Sequence, residues 1–251
     1  MSVPQTLAQS APRAIEVLTA MRAVTSLPIS EVFESVQGEA GWTGTPAVFI
    51  RLQGCPVSCG FCDTKHTWNV DPAQEIPAPE MMAKAEDAPT FARMGAMELA
   101  RHVLGTMRAR HIVITGGEPA LYDLRPLSEI LIEAGRTVQL ETSGTHEIRI
   151  DPRAFVTVSP KIGMPGGYEV RDDAMARADE IKMPVGKPAD VERLRDLVSP
   201  VMARKGWLDQ IPRIWLQPLS QSAKATALCV EAATANGWRI SVQTHKYLGV
   251  R

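Results

Sequence analysis

The stretch Ala47-Val48-Phe49-Ile50-Arg51-Leu52-Gln53-Gly54-Cys55-Pro56-Val57-Ser58-Cys59-Gly60-Phe61-Cys62 runs from an apolar, partly β-branched segment straight into a loop rich in glycine and cysteine. A short apolar run bounded by Gly and Pro has the composition of a buried strand. The same succession recurs down the chain: a short apolar run, a cluster of polar or glycine residues, then a helix-length amphipathic stretch. Strands are predicted over Ala47–Leu52, His111–Thr115, Thr137–Glu141, Phe155–Ser159, Glu180–Met183, Arg213–Gln217 and Arg239–Gln243. Helices are predicted between them over Met94–Arg108, Leu124–Ala134, Ala189–Arg204 and Gln221–Asn236, with Gly237 suited to close the last. Repeated βα units specify a parallel sheet. The predicted fold is α/β, a partial TIM-like barrel of six or seven mostly parallel strands.

Working outward, the 251 residues suffice for one large domain, and 45% apolar with 22% charged residues excludes a disordered or fibrous chain. The 27 basic side chains are matched by 28 acidic ones, giving a net charge of −1, so nothing in the balance attracts nucleic acid or an acidic membrane. No apolar run approaches the roughly 20 residues a membrane helix needs, and the beginning of the chain lacks the apolar core of a secretory signal. The chain is read as cytoplasmic. Residues 1–27, rich in Ala, Ser and Thr, are read as a flexible N-terminal extension, and residues 28–251 as a single domain. Within it, residues 71–90 break the βα rhythm with Pro72, Pro77, Pro79 and Pro89 and read as an insert.

Of the four cysteines, Cys229 lies in an apolar helical stretch and reads as core, whereas Cys55, Cys59 and Cys62 crowd into eight residues. Three thiols on one loop of a cytoplasmic chain point to a metal rather than to disulfides. Two uses stand open: ligation of three irons of a [4Fe–4S] cluster, with the fourth iron free for a cofactor, or a tetrahedral zinc knot completed by His66. The other unusual polar residues follow the C-terminal ends of predicted strands: Thr115-Gly116-Gly117-Glu118, Glu141-Thr142-Ser143, Ser159-Pro160-Lys161, Gln217-Pro218-Leu219-Ser220 and Gln243-Thr244-His245-Lys246. In a parallel barrel those ends share one face, where such folds build their sites.

The spacing CxxxCxxC with Phe61 before its last cysteine, joined to Thr115-Gly116-Gly117-Glu118-Pro119, resembles the radical S-adenosylmethionine enzymes. Further segments resemble the 7-carboxy-7-deazaguanine synthase family of enterobacterial type. They include Phe33-Glu34-Ser35-Val36-Gln37-Gly38-Glu39, Cys62-Asp63-Thr64-Lys65-His66-Thr67-Trp68, Glu141-Thr142-Ser143-Gly144-Thr145-His146 and Ala178-Asp179-Glu180-Ile181-Lys182. The resemblance runs from about Pro28 to the C-terminus and implies a radical S-adenosylmethionine core. It implies a ring contraction of 6-carboxy-5,6,7,8-tetrahydropterin to 7-carboxy-7-deazaguanine with loss of ammonia, on the route to queuosine. In that scheme the reduced cluster cleaves S-adenosylmethionine to a 5′-deoxyadenosyl radical, which takes a hydrogen from C6 of the pterin.

Residue roles follow from the same resemblance. Cys55, Cys59 and Cys62 ligate the [4Fe–4S] cluster, and the Thr64 hydroxyl coordinates Mg²⁺. Phe61, Cys62, Asp63, Gly117, Glu118, Ser159, Pro160, Lys161 and the turn Gln217, Pro218, Leu219 and Ser220 line S-adenosylmethionine. The pterin is met by Val36, Gln37, Gly38, Glu39, Arg51, Thr115, Glu141, His245 and the terminal carboxylate of Arg251. Arg51 suits a carboxylate because its guanidinium is a planar fork of donors. No residue is singled out as a protein acid or base, since the hard chemistry falls to the cofactor. A homodimer and a flavodoxin or ferredoxin as electron donor are further implications. Two other readings stay open: an activase of a glycyl-radical protein, against which the lack of cysteines for a second cluster argues, and a zinc-stabilised binding module without catalysis.

Overall fold

A computed structural model describes residues 26–85, 87–205 and 213–250. They build one nine-stranded sheet in the order β3-β1-β2-β4-β5-β6-β7-β8-β9. The strands are β1 (Ser26–Val36), β2 (Pro46–Leu52), β3 (Ala92–Gly95), β4 (His111–Gly116), β5 (Thr137–Thr142), β6 (Phe155–Val158), β7 (Glu180–Val185), β8 (Arg213–Pro218) and β9 (Arg239–Ile240). The helices are α1 (Ala78–Met82), α2 (Ala96–Thr106), α3 (Arg125–Glu133), α4 (Asp172–Arg177), α5 (Pro188–Lys205), α6 (Ala223–Asn236) and α7 (Thr244–Leu248). From β2 through β9 every neighbouring pair is parallel, so the expected seven-stranded parallel series is present. Two strands were not expected: β1, antiparallel to β2, and β3, antiparallel to β1. Ser26 and Leu27 belong to β1, paired with Gly95 and Met94, which corrects the extension boundary drawn at residue 27; residues 1–25 lie outside the described residues.

Alternation along the parallel strands sends apolar side chains to one face and polar ones to the other. Ile112 and Ile114, Val138 and Leu140, Val156 and Val158, Ile181 and Met183, Ile214 and Leu216 pack outward into one core with Leu99 and Val103 of α2, Leu127 and Leu131 of α3, Leu194 of α5 and Cys229 of α6. Each such large aliphatic residue, once buried, contributes about 1.5–3 kcal/mol. The alternate positions Gln139, Thr157, Glu180, Lys182 and Gln217 are buried too, yet polar. The hydrophobic core therefore lies between sheet and helices, and the concave side of the sheet is left for chemistry.

β1 runs against its neighbours and delivers the chain to their N-terminal ends, where Val36 pairs with Pro46. The next residues cross beneath the sheet. Trp42 stacks on His111 at 4.2 Å and meets Phe155 edge-on at 5.7 Å, at the starts of β4 and β6. Gly41 N donates to Glu180 Oε2 at 3.1 Å, Ala40 N to Ser241 Oγ at 2.9 Å, and Thr244 N to Gly38 O at 2.9 Å. This strap reaches from β1 to the residues after β9 and turns an open sheet into a floored cup. The insert at residues 71–90 is packed down as well, with Met81 of α1 buried and Lys84 Nζ donating to Ala88 O and Thr90 O.

Candidate active site

The cysteine loop leaves β2 through Gly54, whose positive φ of 100° requires glycine. Gly54 N and Cys55 N donate to Thr67 O and Trp68 O at 2.7 and 2.9 Å, folding the loop back on residues 65–68. That return brings Trp68 Nε1 to 3.4 Å from Cys62 Sγ, which also lies 3.6 Å from Thr64 Oγ1. Burial pushes the Cys55 thiol up to about 11 and raises Cys59 as well. Both are therefore protonated at neutral pH until a metal displaces the proton.

The glycine-rich end of β4 docks directly on this loop. A Cβ on Gly116 would lie 2.2 Å from Leu52 N, and Gly117 N and Glu118 N donate to Leu52 O and Gly54 O at 2.9 and 2.7 Å. The Glu118 carboxylate is buried and accepts from Ala120 N, Thr142 Oγ1, Ser143 N and Ser143 Oγ. Its acceptor positions are taken by the protein. Glu118 thus tethers the ends of β4 and β5.

The cup opens as a chamber of about 270 Å³ joined to a second of about 190 Å³. The first is lined by the three cysteines with Phe61, Asp63, Thr64, Gly117, Glu118, Ser159, Lys161 and the turn Gln217–Ser220. The second is lined by Val36, Gln37, Gly38, Glu39, Arg51, Thr115, Glu141 and His245. The residues expected to meet cofactor and those expected to meet substrate thus fall into adjoining spaces. Glu39, Asp63, Thr115, Glu141 and Lys182 border both. Two expected residues fall elsewhere: Pro160 is buried and lines neither chamber, and Arg251 lies outside the described residues.

At the shared wall Lys182 Nζ donates to Glu39 Oε2 at 2.5 Å and to Glu141 Oε2 at 2.7 Å. Burial pushes the Glu39 carboxyl up, but Lys182, Gln243 and His245 more than offset it and hold it at about 2. Burial raises Glu141, with Glu39 and Glu180 opposing the help of Lys182. For Lys182 burial works against the charge, and the two carboxylates outweigh it and raise the ammonium above its usual range. Gln243 Nε2 and Gln217 Nε2 donate to Glu39 Oε1, while Gln37 and Gln139 donate to Glu141 Oε1. Arg51 Nε is held by Glu31 at 2.5 Å, with its guanidinium 5.9 Å from the Phe33 ring centroid. Phe33 stacks on Phe49 at 5.2 Å, giving the second chamber a flat apolar wall.

Sequence reasoning assigned no site role to Lys182, Gln243, Phe33 or Phe49. Lys182 and Gln243 stood in quoted motifs; the signal available was their inward phase on β7 and after β9, opposite the apolar residues that face the helices.

The donor set fits a [4Fe–4S] cluster better than zinc. Among the described residues no three His, Cys, Asp or Glu side chains converge as a site for a single ion. His66 is placed away from the thiols: it does not border the chamber that the three cysteines line, and its charged neighbours are Asp87, Arg51, Glu31 and Lys84. Three soft thiols, one with an indole donor, bordering a chamber with room for a cofactor are what a cluster with one open iron requires.

No family model matches the chain. It is 48% identical over 226 residues to the 7-carboxy-7-deazaguanine synthase of Escherichia coli (strain K12), covering 89% of this chain and 98% of that one. It is 38% identical over 225 residues to the enzyme of that name from Buchnera aphidicola, covering 89% and 99%. The crystal structure of QueE from Escherichia coli superposes with a TM-score of 0.82 at 45% identity, over 90% of this chain and 97% of that one. With this identity over most of both chains and the predicted fold in agreement with the superposed structure, the chain belongs to the 7-carboxy-7-deazaguanine synthase family.

Proposed function

We propose that the two chambers are the cofactor and substrate halves of one radical S-adenosylmethionine active site, converting 6-carboxy-5,6,7,8-tetrahydropterin to 7-carboxy-7-deazaguanine with loss of ammonia in queuosine biosynthesis. The observation that carries this reading is the wall of Glu39, Lys182 and Glu141 shared by the thiol-lined chamber and the aromatic one. Cys55, Cys59 and Cys62 hold the cluster, and Phe61, Asp63, Gly117, Ser159, Lys161 and Gln217–Ser220 surround S-adenosylmethionine. When bound, these groups supply abstraction of a hydrogen atom, which no closed-shell acid or base of the protein can perform.

The chain's own residues bind and orient. In the second chamber Arg51, positioned by Glu31, meets the substrate carboxylate with its terminal nitrogens. Glu39 and Glu141 accept from the N–H groups along the pterin edge, with Gln37, Thr115 and His245 completing the rim and the ring lying against Phe33. The strap at Trp42 packs across the starts of β4 and β6 beneath the site. Thr64 gives a single hydroxyl to Mg²⁺, which suits a hard cation that keeps most of its ligands as water and substrate oxygen.

The described residues share one sheet and are taken as one catalytic domain. No helix among them is long and apolar enough to cross a membrane, and a cytoplasmic homodimer reduced by a flavodoxin or ferredoxin completes the reading.

The test is anaerobic incubation of iron-reconstituted protein with reductant, Mg²⁺, S-adenosylmethionine and 6-carboxytetrahydropterin, read by mass spectrometry. The expected result is the deazaguanine acid. Cleavage of S-adenosylmethionine with the pterin unchanged would remove the substrate assignment and keep the superfamily.

A further inference from the structure

Lys182 is the ion-pair partner of two carboxylates, mostly shielded from solvent, that come from distant parts of the chain. We infer that Lys182 is a positioning residue that holds Glu39 and Glu141 as a matched pair of hydrogen-bond acceptors for the N–H edge of the pterin, an inference that rests on the substrate assignment above. Two carboxylates within reach of one nitrogen, both shielded from water, repel each other, and without a cation one of them takes up a proton. A protonated carboxyl is a donor and faces the substrate's ring N–H donors with the wrong polarity.

The accounting of oxygen atoms supports this role. Lys182 takes Oε2 of each carboxylate. The contacts to Glu141 Oε1, from Gln37 at 3.3 Å and Gln139 at 3.2 Å, are long and leave that oxygen capacity toward the chamber. Gln243 at 2.7 Å and Gln217 at 3.4 Å steer Glu39 Oε1 by donating only. The other charged groups on these chambers are engaged elsewhere or carry the wrong sign: Arg51 is held by Glu31, Lys246 donates to Gln243 Oε1 at 2.8 Å, and Asp63 is acidic. Lys161 is engaged with Ser159 and faces Cys59, burial disfavours the charged form of His245, and Glu180 adds a further negative charge.

The experiment is equilibrium binding of 6-carboxytetrahydropterin to the reconstituted enzyme, kept oxidised so that no turnover occurs, with S-adenosylmethionine and Mg²⁺ present. Wild type, Lys182→Arg and Lys182→Met are compared from pH 6 to pH 9. Wild type and Lys182→Arg are expected to bind with nearly constant affinity. Lys182→Met is expected to bind at least about tenfold more weakly at pH 6, and to recover by about tenfold per pH unit as the orphaned carboxyl ionises. A folded Lys182→Met protein with unchanged iron content and a flat profile overturns the inference.

If Lys182→Met does not fold, the triple variant Lys182→Met with Glu39→Gln and Glu141→Gln removes all three charges of the wall and with them the titrating carboxyl. It is expected to bind weakly with a flat profile, and a steep pH dependence there overturns the inference equally. Failure of the wild type to bind the pterin at any pH removes the substrate assignment, and this inference with it.

Discussion

A Cβ on Gly117 would lie 2.1 Å from the carbonyl oxygen of Gly54. The glycine-rich strand end and the cysteine loop, more than 50 residues apart in sequence, therefore meet through bare backbone. Their joint appearance in the chain is one structural requirement: the end of β4 is the support on which the cysteine loop rests.

Gly117→Ala should accordingly fail at the loop. The neighbour of the added methyl is backbone, which cannot rotate away, so the cost is an overpacking strain of about 1–3 kcal/mol together with a displaced Gly54–Cys55 turn. The expected outcome is a lower melting temperature of the metal-free protein and poor iron retention after reconstitution. Gly105→Ala, on an exposed turn of α2 with nothing within 4 Å, is the control and should gain about 0.5–1 kcal/mol from helix propensity. Equal stability of the two variants would contradict the close contact.

Glu118 offers a second test of the same support. Glu118→Ala strands the buried donors of Ser143 N and Ala120 N, each costing about 1–3 kcal/mol when left without an acceptor. Urea unfolding of the metal-free protein should show a midpoint well below that of wild type with an unchanged slope. If Glu118 instead served chiefly to contact cofactor, the metal-free midpoint would not move and only the affinity for S-adenosylmethionine would fall.

The parallel series was legible in sequence because its strands are short apolar runs that end in conspicuous polar clusters, as at Ile112–Thr115 and Leu140–Thr142. β1 was not. Its pairing register shifts between Ile29 and Glu31, so the alternation of its buried side breaks where Ser30 and Glu31 are also buried. β3 has only four residues, the last two of which, Met94 and Gly95, were counted into the predicted helix Met94–Arg108. In the site, the cysteines and the glycine pair carry their meaning in spacing alone. Lys182 does not, because its partners lie 143 and 41 residues away and only the closed cup brings them together. The tether made by Glu118 was equally illegible: three of its four donors are on Thr142 and Ser143 and meet it only when β4 and β5 lie side by side.

The Arg51 and Glu31 pair predicts separable effects on stability and binding. Arg51→Ala leaves the buried Glu31 carboxylate without the guanidinium, a loss of about 3–5 kcal/mol for a broken buried pair. It should also raise KM for the pterin, while the iron content of protein that does fold stays that of wild type. Arg51→Met combined with Glu31→Gln removes both charges and should recover most of the stability without recovering KM. Return of substrate affinity in the double variant would show that Arg51 acts on the fold alone.

The carboxyls around Lys182 also set how stability responds to acid. Glu39 is held at about 2 in the folded chain, against its ordinary 4.5. Its contribution is therefore fully present above pH 4.5 and is lost as pH falls through 4.5 toward 2. Glu180 behaves oppositely: burial raises it, so the folded state favours its proton and stability declines as pH climbs from 4.5 through that raised value. Its oxygens accept from Thr157 Oγ1 at 2.9 Å and Gly41 N at 3.1 Å. A Glu180→Gln side chain can preserve one of these acceptor contacts through its carbonyl while removing the buried charge. Relative to wild type, Glu180→Gln should thus be more stable at pH 8 than at pH 5, whereas Glu39→Gln should lose most near neutrality and little at pH 2.5. Urea midpoints of the metal-free proteins at these pH values test both signs, and parallel curves for the two variants would refute the opposite assignments.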